Sequence, residues 1–219
     1  MMRLSSYGGS PNIAVFAAAN ESLAFTAADA SPEFVRTLGE ALGVDVLKVS
    51  VAGSHVVGSL VAMNSNGAVV SYLADDAELS VMEARIPCMR LDDQLNAAGN
   101  NILVNDHGAI VSPEYSEATA RAIGEALGVE AVRSSIGGLN TVGSACRVTN
   151  KGCACHMDAS DDEIALIKDV LGVEAVRTTV NHGVRVVGAG ILANSKGAVV
   201  GDDTTPIEMG KIEDALVLY

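Results

Sequence analysis

Cys153-Ala-Cys155-His156 is the segment of this chain most able to do chemistry. Two thiols one residue apart, followed by an imidazole, supply half of a zinc site. A cysteine beside a histidine can also act as an activated nucleophile. A metal site needs further ligands at suitable spacing, and none stand out. A second group lies in short polar steps: Asn64, Asn66, Asn105, Asp106, His107, Asn150, Lys151, Asn194 and Lys196. Turn chemistry explains the Asn and Asp residues there. It does not require Lys151 or Lys196, which are candidate phosphate contacts. A third group is cationic: Lys48, Arg133 and Arg177, with Arg3 and Arg90. These could form a rung that touches RNA, or could pair with acids of a neighbouring unit.

The elements that hold these residues repeat along the chain. Gly143-Ser-Ala-Cys-Arg-Val-Thr-Asn-Lys-Gly152 has counterparts at Gly58–Gly67, Gly99–Gly108 and Gly188–Gly197. Each has two glycines nine positions apart, a short apolar run, a polar step and a second apolar run, which predicts a β-hairpin. The closing glycine is expected at φ > 0. Opening glycines at 58, 99, 143 and 188 give steps of 41, 44 and 45 residues. A worn copy lies at Ile13–Ser22, with Ile13 and Ser22 in place of the glycines. Five repeats of about 44 residues, near 1–44, 45–87, 88–129, 130–173 and 174–219, make one domain.

The register bears on the cysteines. Cys146 takes the slot of Val61, Ile102 and Ile191; Cys153 that of Ala68, Ala109 and Ala198; Cys155 that of Val70, Val111 and Val200. All three are therefore expected to act as small core hydrophobes. No catalytic, metal or cofactor role is expected of them.

Each unit reads as a strand opened by a basic residue, a Gly- or Asn-bearing loop, the hairpin and a helix. Ser31-Pro32, Asp75 with Glu78, Ser160 with Glu163, and Thr205-Pro206 mark helix starts. Gly43, Gly128 and Gly172 mark ends. In the fourth helix Ile164, Ile167, Val170 and Leu171 share one face, so the helices belong on the outside. The end units are as apolar as the middle ones, which argues against an open stack. Met2–Tyr7 reads as a first strand, and Val217-Leu-Tyr219 stops where another would begin. The two ends are expected to meet and close a ring, with strands inside and no exposed sheet edge.

Bulk composition narrows the function. Hydrophobic residues make up 49% of the 219, with 3 Phe, 4 Tyr and no Trp, so Ala, Val, Leu and Ile must form the core. Net charge is −13, which disfavours sequence-blind binding to nucleic acid. Four cysteines do not make a disulfide scaffold. No stretch approaches the roughly 20 apolar residues of a membrane span. A cytoplasmic, unprocessed monomer is expected.

Val142-Gly-Ser, Thr149-Asn-Lys-Gly152, Ala193-Asn-Ser-Lys-Gly-Ala-Val-Val-Gly201 and Asp203-Thr-Thr-Pro206, followed by Ile212-Glu-Asp-Ala-Leu216, resemble the archaeal translation initiation factor 6 family. The resemblance covers all five units and is weakest in the first. It implies the pentein fold, a five-fold pseudosymmetric α/β propeller. It also implies a ribosomal anti-association factor, which binds the large (50S) subunit and keeps the small one away. The implied partners are a uL14-type ribosomal protein and nearby rRNA, and no reaction is catalysed.

The residue after each opening glycine is Ser59, Asn100, Ser144 or Ala189. Asn100 stands out because the other three are small. In the family's register it matches an Asn implicated in large-subunit binding. The candidate ribosome-binding residues are Ser59, Asn100, Asp106, Ser144, Lys151, Lys196 and Tyr219. The alternative is an enzyme, since pentein relatives include guanidine-modifying hydrolases and amidinotransferases. Those carry their nucleophilic Cys late in the chain, whereas 64 residues follow Cys155 here.

Overall fold

Gly43, Gly128 and Gly172 end three helices at φ of 62°, 64° and 67°, in the left-handed region that a Cβ disfavours. The computed structural model describes residues 1–219. The chain begins with β1 (Met2–Ser5), a 3-10 turn (Ile13–Val15), β2 (Ala17–Ala19), β3 (Leu23–Ala27), α1 (Pro32–Leu42) and β4 (Asp45–Val49). Next come α2 (Val57–Leu60), β5 (Val61–Met63), β6 (Ala68–Ser71), α3 (Asp76–Glu83) and β7 (Cys88–Leu91). They are followed by α4 (Ala98–Asn101), β8 (Ile102–Val104), β9 (Gly108–Val111), α5 (Glu117–Leu127) and β10 (Glu130–Arg133). Then come α6 (Val142–Ala145), β11 (Arg147–Val148), β12 (Cys153–Cys155), α7 (Asp161–Leu171) and β13 (Ala175–Arg177). The last unit is α8 (Val187–Gly190), β14 (Ile191–Asn194), β15 (Gly197–Gly201) and α9 (Pro206–Leu216).

Helix starts follow the sequence signals. Ser31 accepts from the amide of Phe34, while Asp75/Glu78, Ser160/Glu163 and Thr205/Glu208 form capping boxes. The amphipathic helices bury one side, as with Ile167 and Leu171 of α7 or Phe34, Leu38 and Leu42 of α1. The core divides into five apolar clusters; one gathers Phe25, Val61, Val70 and Met82. No helix is long and apolar enough to cross a membrane.

Fifteen strands form five three-stranded sheets. In each, an antiparallel hairpin takes a third, parallel strand across a repeat boundary, so β5 and β6 are joined by β7. The fifth sheet takes its third strand from the other terminus: Met2–Ser5 of β1 lies parallel to Ala198–Gly201 of β15. First and last units are thus paired, and the expected five-fold α/β propeller results.

Four local expectations need correction. The opening glycines do not start strands; Gly58, Gly99, Gly143 and Gly188 sit in the one-turn helices α2, α4, α6 and α8. The closing glycines do not take positive φ. Closing and opening glycines alike are small because neighbouring backbone leaves no room: a Cβ on the closing Gly67 would lie 2.3 Å from Ala126 O, and one on the opening Gly99 only 1.9 Å from Gly58 O. In the first unit the matching residues are Ala14 and Leu23, one position beyond Ile13 and Ser22. Leu23 N donates to Asn20 Oδ1 as Gly67 N donates to Asn64 Oδ1. Finally, the basic residues do not open their strands. Lys48, Arg133 and Arg177 lie at or next to the strand ends, because pairing begins soon after each left-handed helix cap.

Candidate functional site

The candidate residues do not converge on one place; they divide between the two mouths of a central channel. At the first mouth the one-turn helices place Ser59, Asn100, Ser144 and Ala189 around the axis, with Ala14 and Val15 of the worn unit. All four are half-buried. Asn100 Oδ1 accepts from Ser144 Oγ at 3.2 Å. The Asn100 amide nitrogen donates to no group in the chain, so its two N–H donors have no partner within the ring.

The hairpin turns form the opposite mouth. Asn20, Asn64, Asn105 and Asn194 are buried there. Each sends its Nδ2 to the next unit's turn: Asn20 to Asn64 O at 2.7 Å, Asn64 to Asn105 O and Asn105 to Thr149 O at 3.1 Å, and Asn194 to Asn20 O at 3.1 Å. Three of them also reach a helix end, at Leu127 O, Leu171 O and Leu42 O. They satisfy carbonyls at helix termini, at Leu127 O together with Asn66 Nδ2.

Around this girdle the other candidates are unequal. The Asp106 carboxylate accepts from Ser65 N, Ser65 Oγ and Asn150 Nδ2 at 2.6–2.8 Å. Burial opposes its ionised form, but these donors outweigh it and hold the carboxyl below the usual carboxylate range. Lys196 is exposed, yet its Nζ donates to Glu21 O at 2.6 Å and Gly43 O at 3.2 Å, at the C-terminus of α1. Lys151 is exposed, and no group in the chain pairs its ammonium. Tyr219, at 88% exposure, follows the end of α9, which abuts the fourth unit's turn at Gly152.

The thiols lie elsewhere. Cys146, Cys153 and Cys155 are fully buried with Ile136, Val142 and Ile167, as the register indicates for core residues. Cys146 Sγ donates to Cys155 Sγ at 3.1 Å. That contact and burial push the Cys155 thiol far up, and burial raises Cys146 as well, so neither becomes a thiolate near neutral pH. His156 is 6% exposed, and its Nδ1 accepts from Asp158 N. No three His, Cys, Asp or Glu side chains converge as metal ligands would.

The cationic rung is paired. Arg90 meets Asp76 at 2.6 Å, Arg133 meets Glu117 at 3.2 Å, Arg177 meets Asp161 at 2.6 Å and Arg3 meets Glu40 at 3.1 Å. Lys48 donates to Ala30 O. The four arginines thus each have a carboxylate partner within the ring. Arg147 was not among the candidates. The signal was available, because it stands in the slot of Ala62, Leu103 and Leu192.

A model of the eIF-6 family matches residues 2–215, essentially the whole ring. The chain belongs to this family. Among its relatives, translation initiation factor 6 of Archaeoglobus fulgidus is 46% identical over 208 residues, covering 95% of this chain and 96% of the relative. Translation initiation factor 6 of Thermoplasma acidophilum is 40% identical over 216 residues, covering 99% and 100%. That of Methanosphaerula palustris is 40% identical over 214 residues, covering 98% and 97%. In this eIF-6 family member, first-mouth and turn-tip candidates are separated by the length of the channel.

Proposed function

We propose that this chain binds the large ribosomal subunit through the mouth that carries Ser59, Asn100 and Ser144, and so blocks the small subunit sterically. The observation that carries the reading is the unpartnered amide nitrogen of Asn100. The fold engages only its oxygen, through Ser144 Oγ, and leaves the nitrogen without a partner, while the equivalent positions in other units are small. Asp106 and Lys196, by contrast, are engaged within the ring. An interface of about 800 Å² per partner is roughly a tenth of the 8733 Å² that the ring exposes.

The net charge of −13 sets the kind of partner. rRNA phosphates repel most of this surface, so a ribosomal protein of the uL14 type is the principal contact, with few cations touching RNA. Occupancy alone accounts for the effect, and no bond is made or broken. Cosedimentation with purified large subunits tests the proposal, with Asn100→Ser as the comparison. Binding should weaken several-fold, about 1 kcal/mol, as one interface hydrogen bond is lost, while the melting temperature stays unchanged. Undiminished binding by the variant would remove this mouth from the interface.

A further inference from the structure

Arg147 is a cation with no countercharge inside the ring. It belongs to β11, and its equivalents Ala18, Ala62, Leu103 and Leu192 are all buried and apolar. Nη2 donates to Gly188 O at 2.8 Å, bridging the fourth and fifth units. Thr149 stands in the girdle slot at this same seam and has no amide to send across it. Nε is buried and donates to nothing. Arg147 takes part in no ion pair. Burial is unfavourable enough to the charged form to bring the guanidinium down to about 10, still protonated at neutral pH.

The guanidinium borders the channel beneath the Asn100 mouth. The cavity there is about 40 Å³ and is lined by Ala17, Val61, Gly99, Ile102 and Gly143 together with Arg147. A water needs roughly 10–15 Å³ of such space. The cavity therefore admits a halide or a few waters, and is small for a hydrated oxyanion. Arg147 is half-buried, so water can accept from Nε but leaves a partly desolvated charge without a counterion. A halide supplies acceptor and countercharge together.

We propose that Arg147 makes the central channel a binding site for one chloride-sized monovalent anion, held at the seam between the fourth and fifth units. The bound ion would complete on this seam the cross-unit bonding that asparagine amides provide on the others.

Two measurements on the full chain decide it. In crystals of the unaltered protein grown with bromide, anomalous scattering should place one bromide within hydrogen-bond reach of the Arg147 guanidinium. In solution, the chain should broaden the chloride NMR resonance saturably, and its melting temperature should rise when gluconate is replaced by chloride at constant ionic strength. Arg147→Leu, which copies Leu103 and Leu192, should abolish both responses. Ordered water alone beside Arg147 in the bromide crystals would overturn the proposal, as would chloride broadening that persists unchanged in Arg147→Leu. The crystal result with the unaltered chain stands even if that variant does not fold.

Discussion

Asn194 Nδ2 donates to the carbonyl oxygen of Asn20 at 3.1 Å, joining residues 174 positions apart in the chain. The same amide reaches Leu42 O at 2.9 Å, at the end of α1. One side chain thus ties the fifth unit to the turn and to the helix of the first. Asn64 and Asn105 repeat the arrangement between neighbouring units. The turns are joints of the ring as well as reversals of the chain.

Asn105→Ala removes the donors to Thr149 O and Leu171 O and strands two carbonyls. Stability should fall by about 2–4 kcal/mol. For a chain of this size that is a drop of roughly 5–15 °C in melting temperature. Differential scanning calorimetry checks it, and an unchanged melt would show that water replaces the amide without penalty.

The first strand closes the last sheet. Removing Met1–Ser5 strips β1 from β15 and leaves the edge Ala198–Gly201 unpaired. The truncated chain should melt earlier and self-associate, which light scattering during a thermal ramp would report. A truncated chain that stayed monomeric with the original melting temperature would mean that closure contributes nothing.

Two glycines of the same chain should respond in opposite senses to alanine. At Gly99 the added Cβ would lie 1.9 Å from Gly58 O, where two backbones meet. Gly99→Ala should cost more than about 4 kcal/mol and yield little folded protein. At Gly210, on α9, the added methyl meets nothing within 4 Å. Gly210→Ala should stabilise by roughly 0.5–1 kcal/mol through helix propensity and a less flexible unfolded chain. Denaturant titration of the two variants separates close approach from mere flexibility.

Glu208 predicts an acid-sensitive limb. Burial disfavours its carboxylate, but Thr179 Oγ1 and the amides of Thr205 and Gly183 outweigh this and bring it down to about 2 from 4.5. Its folded value is depressed, so the unfolded chain binds the extra proton. The contribution is fully present above about pH 4.5 and is lost as pH falls through 2. Glu208→Gln should flatten the decline in melting temperature between those values. An unaltered acid limb in the variant would assign the decline to other carboxylates.

Much of this architecture was legible in the residues alone, for local reasons. The five-unit period follows from recurring turn and apolar patterns. The helix ends follow from Ser160/Glu163 and Gly172, whose backbone preferences act within a few positions. Cys146, Cys153 and Cys155 could be assigned to the core because sister units put Val, Ile and Ala in their slots. Other features arise only where distant units meet. Gly67 and Gly99 are small because carbonyls 59 and 41 residues away press on them, not because their φ is positive. Asn64 and Asn194 read as ordinary turn residues until the ring buries them against neighbouring helix ends. The separation of Asn100 from Asp106 and Lys196, by opposite mouths of one channel, depends on strand direction in three dimensions. The isolation of Arg147 depends on which carboxylates the closed ring brings near, and it brings none. Short-range geometry is written in the order of residues, whereas close approach, burial and charge pairing between units exist only once the ring has closed.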